Sequence, residues 1–176
     1  MKNIKILFSL LFLSPIFLVA QTSAHKNQKP FAVIKGKQID IKKDTTLFKR
    51  YLKANLFSEV DKTITLDKIE IRKQTMLSSN EVYYFVLITD FKNHVRIAKW
   101  LKKNKNSLYL IDSEDENAEP IEIMYQVCNG PENCLPNIFK LDSEKHWTCG
   151  ETMYCLTEQA AKLNTCKSTK SIITSE

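Results

Sequence analysis

Five cysteines offer the most reactive chemistry in this chain, and all of them lie between Cys128 and Cys166. The spacing is C-x5-C (Cys128, Cys134), fourteen residues, C-x5-C (Cys149, Cys155), then ten residues to Cys166. Clustered cysteines serve as disulfides, as thiolate metal ligands or as redox and nucleophilic thiols. A four-thiolate zinc site uses knuckles with two to four intervening residues, and neither pair here has that spacing. The C-x-x-C-H of haem attachment and the C-x-x-C of a thioredoxin-like centre are absent. Disulfides are therefore the leading reading. Two short loops, Cys128–Cys134 and Cys149–Cys155, form the expected pairing, each stabilising by about 2–3 kcal/mol through loop entropy. Cys155–Cys166 competes with the second bridge, and Cys166 is the expected unpaired thiol.

Other candidate groups are sparse. His25, His94 and His146 are the only histidines. A Cys–His nucleophilic pair such as Cys149 with His146 requires proximity in space, which closeness in sequence does not supply. G-x-S-x-G and H-E-x-x-H do not occur, and three scattered glycines (Gly36, Gly130, Gly150) cannot build a phosphate loop. Asp112, Glu114, Asp115, Glu116 and Glu119 form an acidic stretch without the glycine and terminal glutamate of a helix–loop–helix calcium loop, so it reads as solvated. No catalytic residue, metal site or cofactor is expected. A basic cluster (Arg96, Lys99, Lys102, Lys103) interleaved with Trp100, together with His146 and Trp147, is the expected interaction surface. Its composition suits nucleic-acid phosphates, but an exported chain meets anionic cell surfaces instead, and no nucleic-acid partner is expected. The aromatics Trp100, Phe139, Trp147 and Tyr154 are expected mainly as core.

The elements that must position these groups centre on Glu81 to Ile111. Apolar runs of strand length alternate there with short polar turns, which predicts a β-meander. In Val82 to Ile88 both strand faces are apolar (Val82, Tyr84, Val86, Ile88 against Tyr83, Phe85, Leu87), so this strand must be covered on both sides. In the next run Val95, Ile97 and Leu101 share one face, with Lys99 the exception on it. A helix competes for His94 to Lys103, but β-branched content and short flanking connections favour a strand. The predicted series is 63–72, 82–89, 95–101, 107–111 and 121–127. A bulge near Asp67-Lys68 reconciles the switch in apolar parity between Leu66 and Ile69. The last strand places Ile121, Ile123, Tyr125 and Val127 on one face. Ahead of this series, Phe31 to Ile34 and Gln38 to Ile41 suggest a hairpin. Asp44 with Phe48, Leu52 and Leu56 predicts an amphipathic helix over 45–56 that covers the sheet.

Residues 1–20 carry Lys2 and Lys5 ahead of an apolar run from Ile6 to Val19, with Ala20 at the cleavage position. That is the pattern of a secretory signal peptide rather than a membrane span, and no later stretch is apolar enough to span a bilayer. The formal charge of the whole chain is +6. Removal of the signal leaves 24 basic and 20 acidic residues, a net +4. Residues 21–30 read as a flexible tether, 31–127 as the helix-plus-sheet domain, 128–166 as a loop-rich, disulfide-tied segment containing a short helix at 157–163, and 167–176 as a disordered tail.

The expected fold class is α+β: a five-stranded antiparallel meander with one N-terminal helix packed on it and a cysteine-rich C-terminal segment. The expected function is that of an exported, monomeric, non-enzymatic binding or interaction module for an unidentified protein or cell-surface partner. A small secreted thiol-dependent enzyme and a secreted protein inhibitor are the alternatives.

Overall fold

The computed structural model describes residues 28–57, 63–77, 79–150 and 166–174. The expected signal peptide, most of the tether, the expected helix at 157–163, His25, Tyr154 and Cys155 lie outside the described residues.

The described chain is mostly antiparallel sheet. The first hairpin is β1 (Ala32–Lys35) and β2 (Gln38–Ile41), turned at Gly36 with φ +61°. Helix α1 (Thr45–Leu56) follows, capped by Asp44, whose carboxylate accepts from the backbone N–H groups of Thr46 and Leu47 at 2.9 and 3.0 Å. Such a cap contributes about 1 kcal/mol by satisfying amides the helix cannot. Next come β3 (Lys68–Thr75), β4 (Val82–Asp90), β5 (Val95–Asn104) and β6 (Ser107–Tyr109). Helix α2 (Pro120–Ile123), β7 (Met124–Asn129), β8 (Pro136–Leu141), β9 (Glu144–Cys149) and β10 (Lys167–Ile172) complete the order.

Strand β5 is the axis. One edge pairs with β4 from Tyr84↔Leu101 to Asp90↔Val95. The other edge is divided: Val95 to Lys99 pairs with β7, and Lys102 to Asn104 pairs with β6. From β6 the sheet continues through β1 to β2, and from β7 it continues to β10. The meander holds from β3 to β6, but β7 returns to β5 rather than to β6. A two-stranded sheet, β8–β9, stands apart from this eight-stranded one. Its turn, Asp142-Ser143, takes positive φ at both positions, as a two-residue hairpin requires.

Both faces of β4 are covered, as its composition demands. One face (Val86, Ile88) packs with Ile97, Leu101, Leu108 and Tyr125 beneath Phe31 of the first hairpin and Phe48 and Leu52 of α1. The opposite face (Tyr83, Phe85, Leu87) packs with Ala98 beneath Ile121, Ile138 and Trp147. The second cover therefore comes from α2 and the β8–β9 hairpin.

Four expectations change. The strand expected at 63–72 begins at Lys68, and Leu66, with φ +52°, turns the chain before it. Parity is reset in that turn rather than by a bulge. The strand expected at 121–127 begins at Met124, because Pro120–Ile123 makes a helical turn. Proline preorganises its first position, and the Glu122 carboxylate accepts from the Glu119 N–H at 3.1 Å. Ile121 therefore faces away from Tyr125 and Val127, into the opposite core. The segment after Cys128, expected as loop-rich, holds the β8–β9 hairpin. Residues 167–172, expected in a disordered tail, pair with β7 along its length, from Lys167↔Asn129 to Ile172↔Met124.

Candidate functional site

The disulfides join Cys128 to Cys149 and Cys134 to Cys166. Neither short-loop pairing forms, and Cys166 is bridged rather than unpaired. The reason is tertiary. The β8–β9 hairpin folds back so that its last residue lies on β7, bringing Cys128 and Cys149 to a Cα separation of 5.6 Å across 21 residues. The second bridge ties the start of β10 to the loop before β8 across 32 residues. Cys155 is the cysteine in neither bridge. Cys149 is thus unavailable as a nucleophile for His146, whose ring stacks on Phe139 at 5.3 Å.

The expected basic surface does not exist as one surface. Alternate residues of β5 face opposite ways, so Arg96, Trp100 and Lys102 part from Lys99 and Lys103. Arg96 is buried, and one guanidinium nitrogen donates to the carbonyls of Gly130 and Pro131, both at 3.1 Å. Burial lowers its pKa, opposed by the charge of Glu132. Trp100 stacks on Tyr83 at 5.7 Å, with the Lys145 ammonium 5.3 Å from its ring. Lys102 pairs with Glu122 at 3.2 Å, and Lys103 lies 5.8 Å from the Tyr84 ring. Trp147 is core, donating from Nε1 to the Ile121 carbonyl at 3.3 Å.

Lys99 is the residue of that set placed for recognition. It is 3 % exposed, on the face of β5 that also holds Val95, Ile97 and Leu101. Its ammonium donates to the Ile123 carbonyl at 2.7 Å and lies 4.5 Å from the centroid of the Tyr125 ring, its cross-strand neighbour. Among the described residues no carboxylate oxygen lies within 4.0 Å of it. Burial draws its pKa down from 10.5 to about 8, against a smaller opposing pull from Asp112.

Lys99 lines a cleft of about 600 Å³ between α1, the segment following β6, and β7. Leu47, Phe48 and Tyr51 enter from α1; Leu110, Ile111, Asp112, Ser113 and Glu114 from the segment after β6; Tyr125 from β7; and Ile173 from beyond β10. The Ser113 hydroxyl donates to the Ile173 carbonyl at 3.1 Å, which pins the C-terminal segment against the cleft. Burial, then the charge of Asp112, raises the pKa of the Tyr51 phenol. Burial likewise raises that of Tyr125, helped by Tyr51 and Asp112. Perturbed titratable groups in one concavity mark a functional-site candidate. The signal in the sequence was Lys99 itself, a cation on an apolar strand face. The partners from α1, the loop and the C-terminal segment carried none.

A second cleft, of about 560 Å³, lies between α2 and β9 and is lined by His146 and Trp147 with Glu81, Glu119, Lys140 and Lys145. Two ion pairs lie within it: Lys140 with Glu81 at 3.5 Å and Lys145 with Glu119 at 3.1 Å. Among the described residues, no three His, Cys, Asp or Glu side chains converge as metal ligands. No described helix is long and apolar enough to cross a membrane. No protein-family model matches the chain, and neither does any curated protein or solved structure.

Proposed function

We propose that this protein is an exported, non-enzymatic binding module whose ligand enters the cleft between α1 and β7. The observation that carries the reading is Lys99, a buried cation lining a cleft of ligand size, with no carboxylate oxygen within 4.0 Å among the described residues. Pockets of this kind recognise small molecules through an apolar wall and a few placed polar groups. The four described cysteines are in disulfides, so the thiol-dependent alternative rests on Cys155, outside the described residues. Export is supported by the two bridges, which persist in oxidising compartments, and by the apolar N-terminal run.

The test is a fragment screen read in methyl NMR spectra of the exported protein. Fragments that occupy the cleft shift the methyls of Leu47, Leu110, Ile111 and Ile173. Leu47 is 55 % exposed at the mouth, so Leu47→Trp is expected to fold and to fill the cleft, abolishing the shifts of the Leu110, Ile111 and Ile173 methyls. A screen that moves none of these methyls, or shifts that survive in Leu47→Trp, overturns the reading.

A further inference from the structure

We infer that the cleft is built for a singly charged carboxylate carried on an apolar body, with the Lys99 ammonium as its anchor. This rests on the reading of the cleft as a binding site and adds the class of ligand.

Three features select that class. An ammonium has three donors, and Lys99 uses one on the Ile123 carbonyl, so donors remain for an incoming acceptor. A carboxylate is the small group that both accepts from an ammonium and balances its charge in a desolvated place. The walls beside it are hydrocarbon and aromatic ring: Leu47, Phe48, Leu110, Ile111 and Ile173. They suit an apolar body rather than a sugar or a nucleotide. The charges around the cleft set the upper limit. Lys43 joins Lys99, whereas Asp44, Asp112 and Glu114 are acidic, so the lining carries a formal −1. A second anionic group outside the Lys99 contact meets those carboxylates, which disfavours dicarboxylates and phosphates. Discrimination by like charge is a common device of specific sites.

The charge on Lys99 also makes binding pH-dependent. The groups around it are Tyr51 and the Lys43–Asp44 pair at the start of α1, Asp112 and Glu114 after β6, and Tyr125 on β7. The two tyrosines, held above their ordinary values, keep their protons as Lys99 loses its own.

Calorimetry on the exported, disulfide-bonded protein with decanoate, decanol and decanedioate tests the inference. At pH 6.5 decanoate binds at least about tenfold more tightly than decanol or decanedioate, the discrimination of one desolvated charge contact. Between pH 6.5 and 9.5 decanoate weakens by up to roughly thirtyfold, following the protonated fraction of Lys99, while decanol is unchanged. Lys99→Met equalises decanoate and decanol. Equal binding of the two by the wild type, abolished by Leu47→Trp, overturns the carboxylate assignment and leaves the cleft a binding site. Decanoate binding with a flat pH profile, or a decanoate preference that survives in Lys99→Met, places the anchor elsewhere and overturns it as well. Failure of all three probes to bind overturns the ligand class, and the fragment screen then decides separately whether the cleft binds anything. The pH arm uses wild-type protein, so it stands even where Lys99→Met folds poorly.

Discussion

Replacing Lys99 by methionine should leave the protein as stable as the wild type or make it more stable. The lysine is held at about 8 against an ordinary 10.5, which corresponds to about 3 kcal/mol of unfavourable charging in the folded state at neutral pH. Methionine fills a similar volume without the charge. The change also removes the charge-assisted hydrogen bond to the Ile123 carbonyl, a loss of about 1.5–3 kcal/mol. The balance runs from about zero to a gain of about 1.5 kcal/mol, or up to roughly 6 °C in Tm for a domain of this size. The sign reverses the usual outcome of a core substitution, and its pH dependence identifies the cause. Between about pH 8 and 10.5 the unfolded wild type holds a proton on Lys99 that the folded protein has released. Wild-type stability therefore rises with pH across that window, and the advantage of Lys99→Met shrinks. Burial also raises the pKa of Tyr83 and Tyr125, so ionisation of these phenols in the unfolded state lowers the stability of both proteins at still higher pH. That contribution cancels in the difference. Urea unfolding of both proteins at pH 6.5, 8, 9 and 10 measures it. A variant less stable than wild type by 1 kcal/mol or more at pH 6.5, or a difference that does not change with pH, refutes the argument that Lys99 is retained at a cost in stability.

Three further outcomes are expected. Non-reducing peptide mapping of the exported protein should recover Cys128 linked to Cys149 and Cys134 linked to Cys166, with an N-terminus at Gln21; a Cys128–Cys134 peptide would contradict the fold of the β8–β9 hairpin. Cys134→Ser should cost about 3–4 kcal/mol by the loop-entropy relation for a 32-residue separation, measured by urea unfolding under oxidising conditions. Asp90 is fully buried and accepts from Thr65 N–H at 2.6 Å and from Asn93 N–H and Nδ2 at 2.8 and 3.0 Å. Burial pushes its carboxyl up, but these bonds, with another from the Leu66 N–H, outweigh it and hold the pKa below the ordinary range. Asp90→Ala should therefore cost about 2–4 kcal/mol at pH 7 by removing several charge-assisted bonds at once and leaving their part-buried donors without this acceptor. The stability that the ionised group lends is present above its unfolded pKa and is lost as pH falls through the folded one. The gap between wild type and variant should accordingly narrow in acid, and a gap that stays constant down to pH 2 would be inconsistent with this account.

Local pattern was enough for the local elements. Asp44 followed by Phe48, Leu52 and Leu56 specifies α1, since a capped stripe at helical spacing has one stable reading in water. Alternation with apolar residues on both faces specifies β4 and announces that both faces are covered. What covers the second face was not legible. Ile138 and Trp147 sit in a stretch dominated by cysteine, proline and turn residues, and their pairing becomes visible only when β8 and β9 are in register. The same holds for β10. Lys167–Ile172 is almost wholly polar, and it is a strand because β7 offers it an open edge, not because of its own apolar content.

The sequence alone determined that Lys99 stands on an apolar strand face, because side chains of a strand alternate with period two. Whether that made it a solvated cation at a hairpin tip or a buried one was not local information. It depended on α1 closing over the face, on the segment after β6 supplying Asp112 and Ile111, and on the C-terminal segment reaching back to Ser113. The cysteines followed the same division. Their number and the expected export signal implied oxidation, whereas the partners were chosen by where a hairpin folded back, and sequence separation carries no record of that.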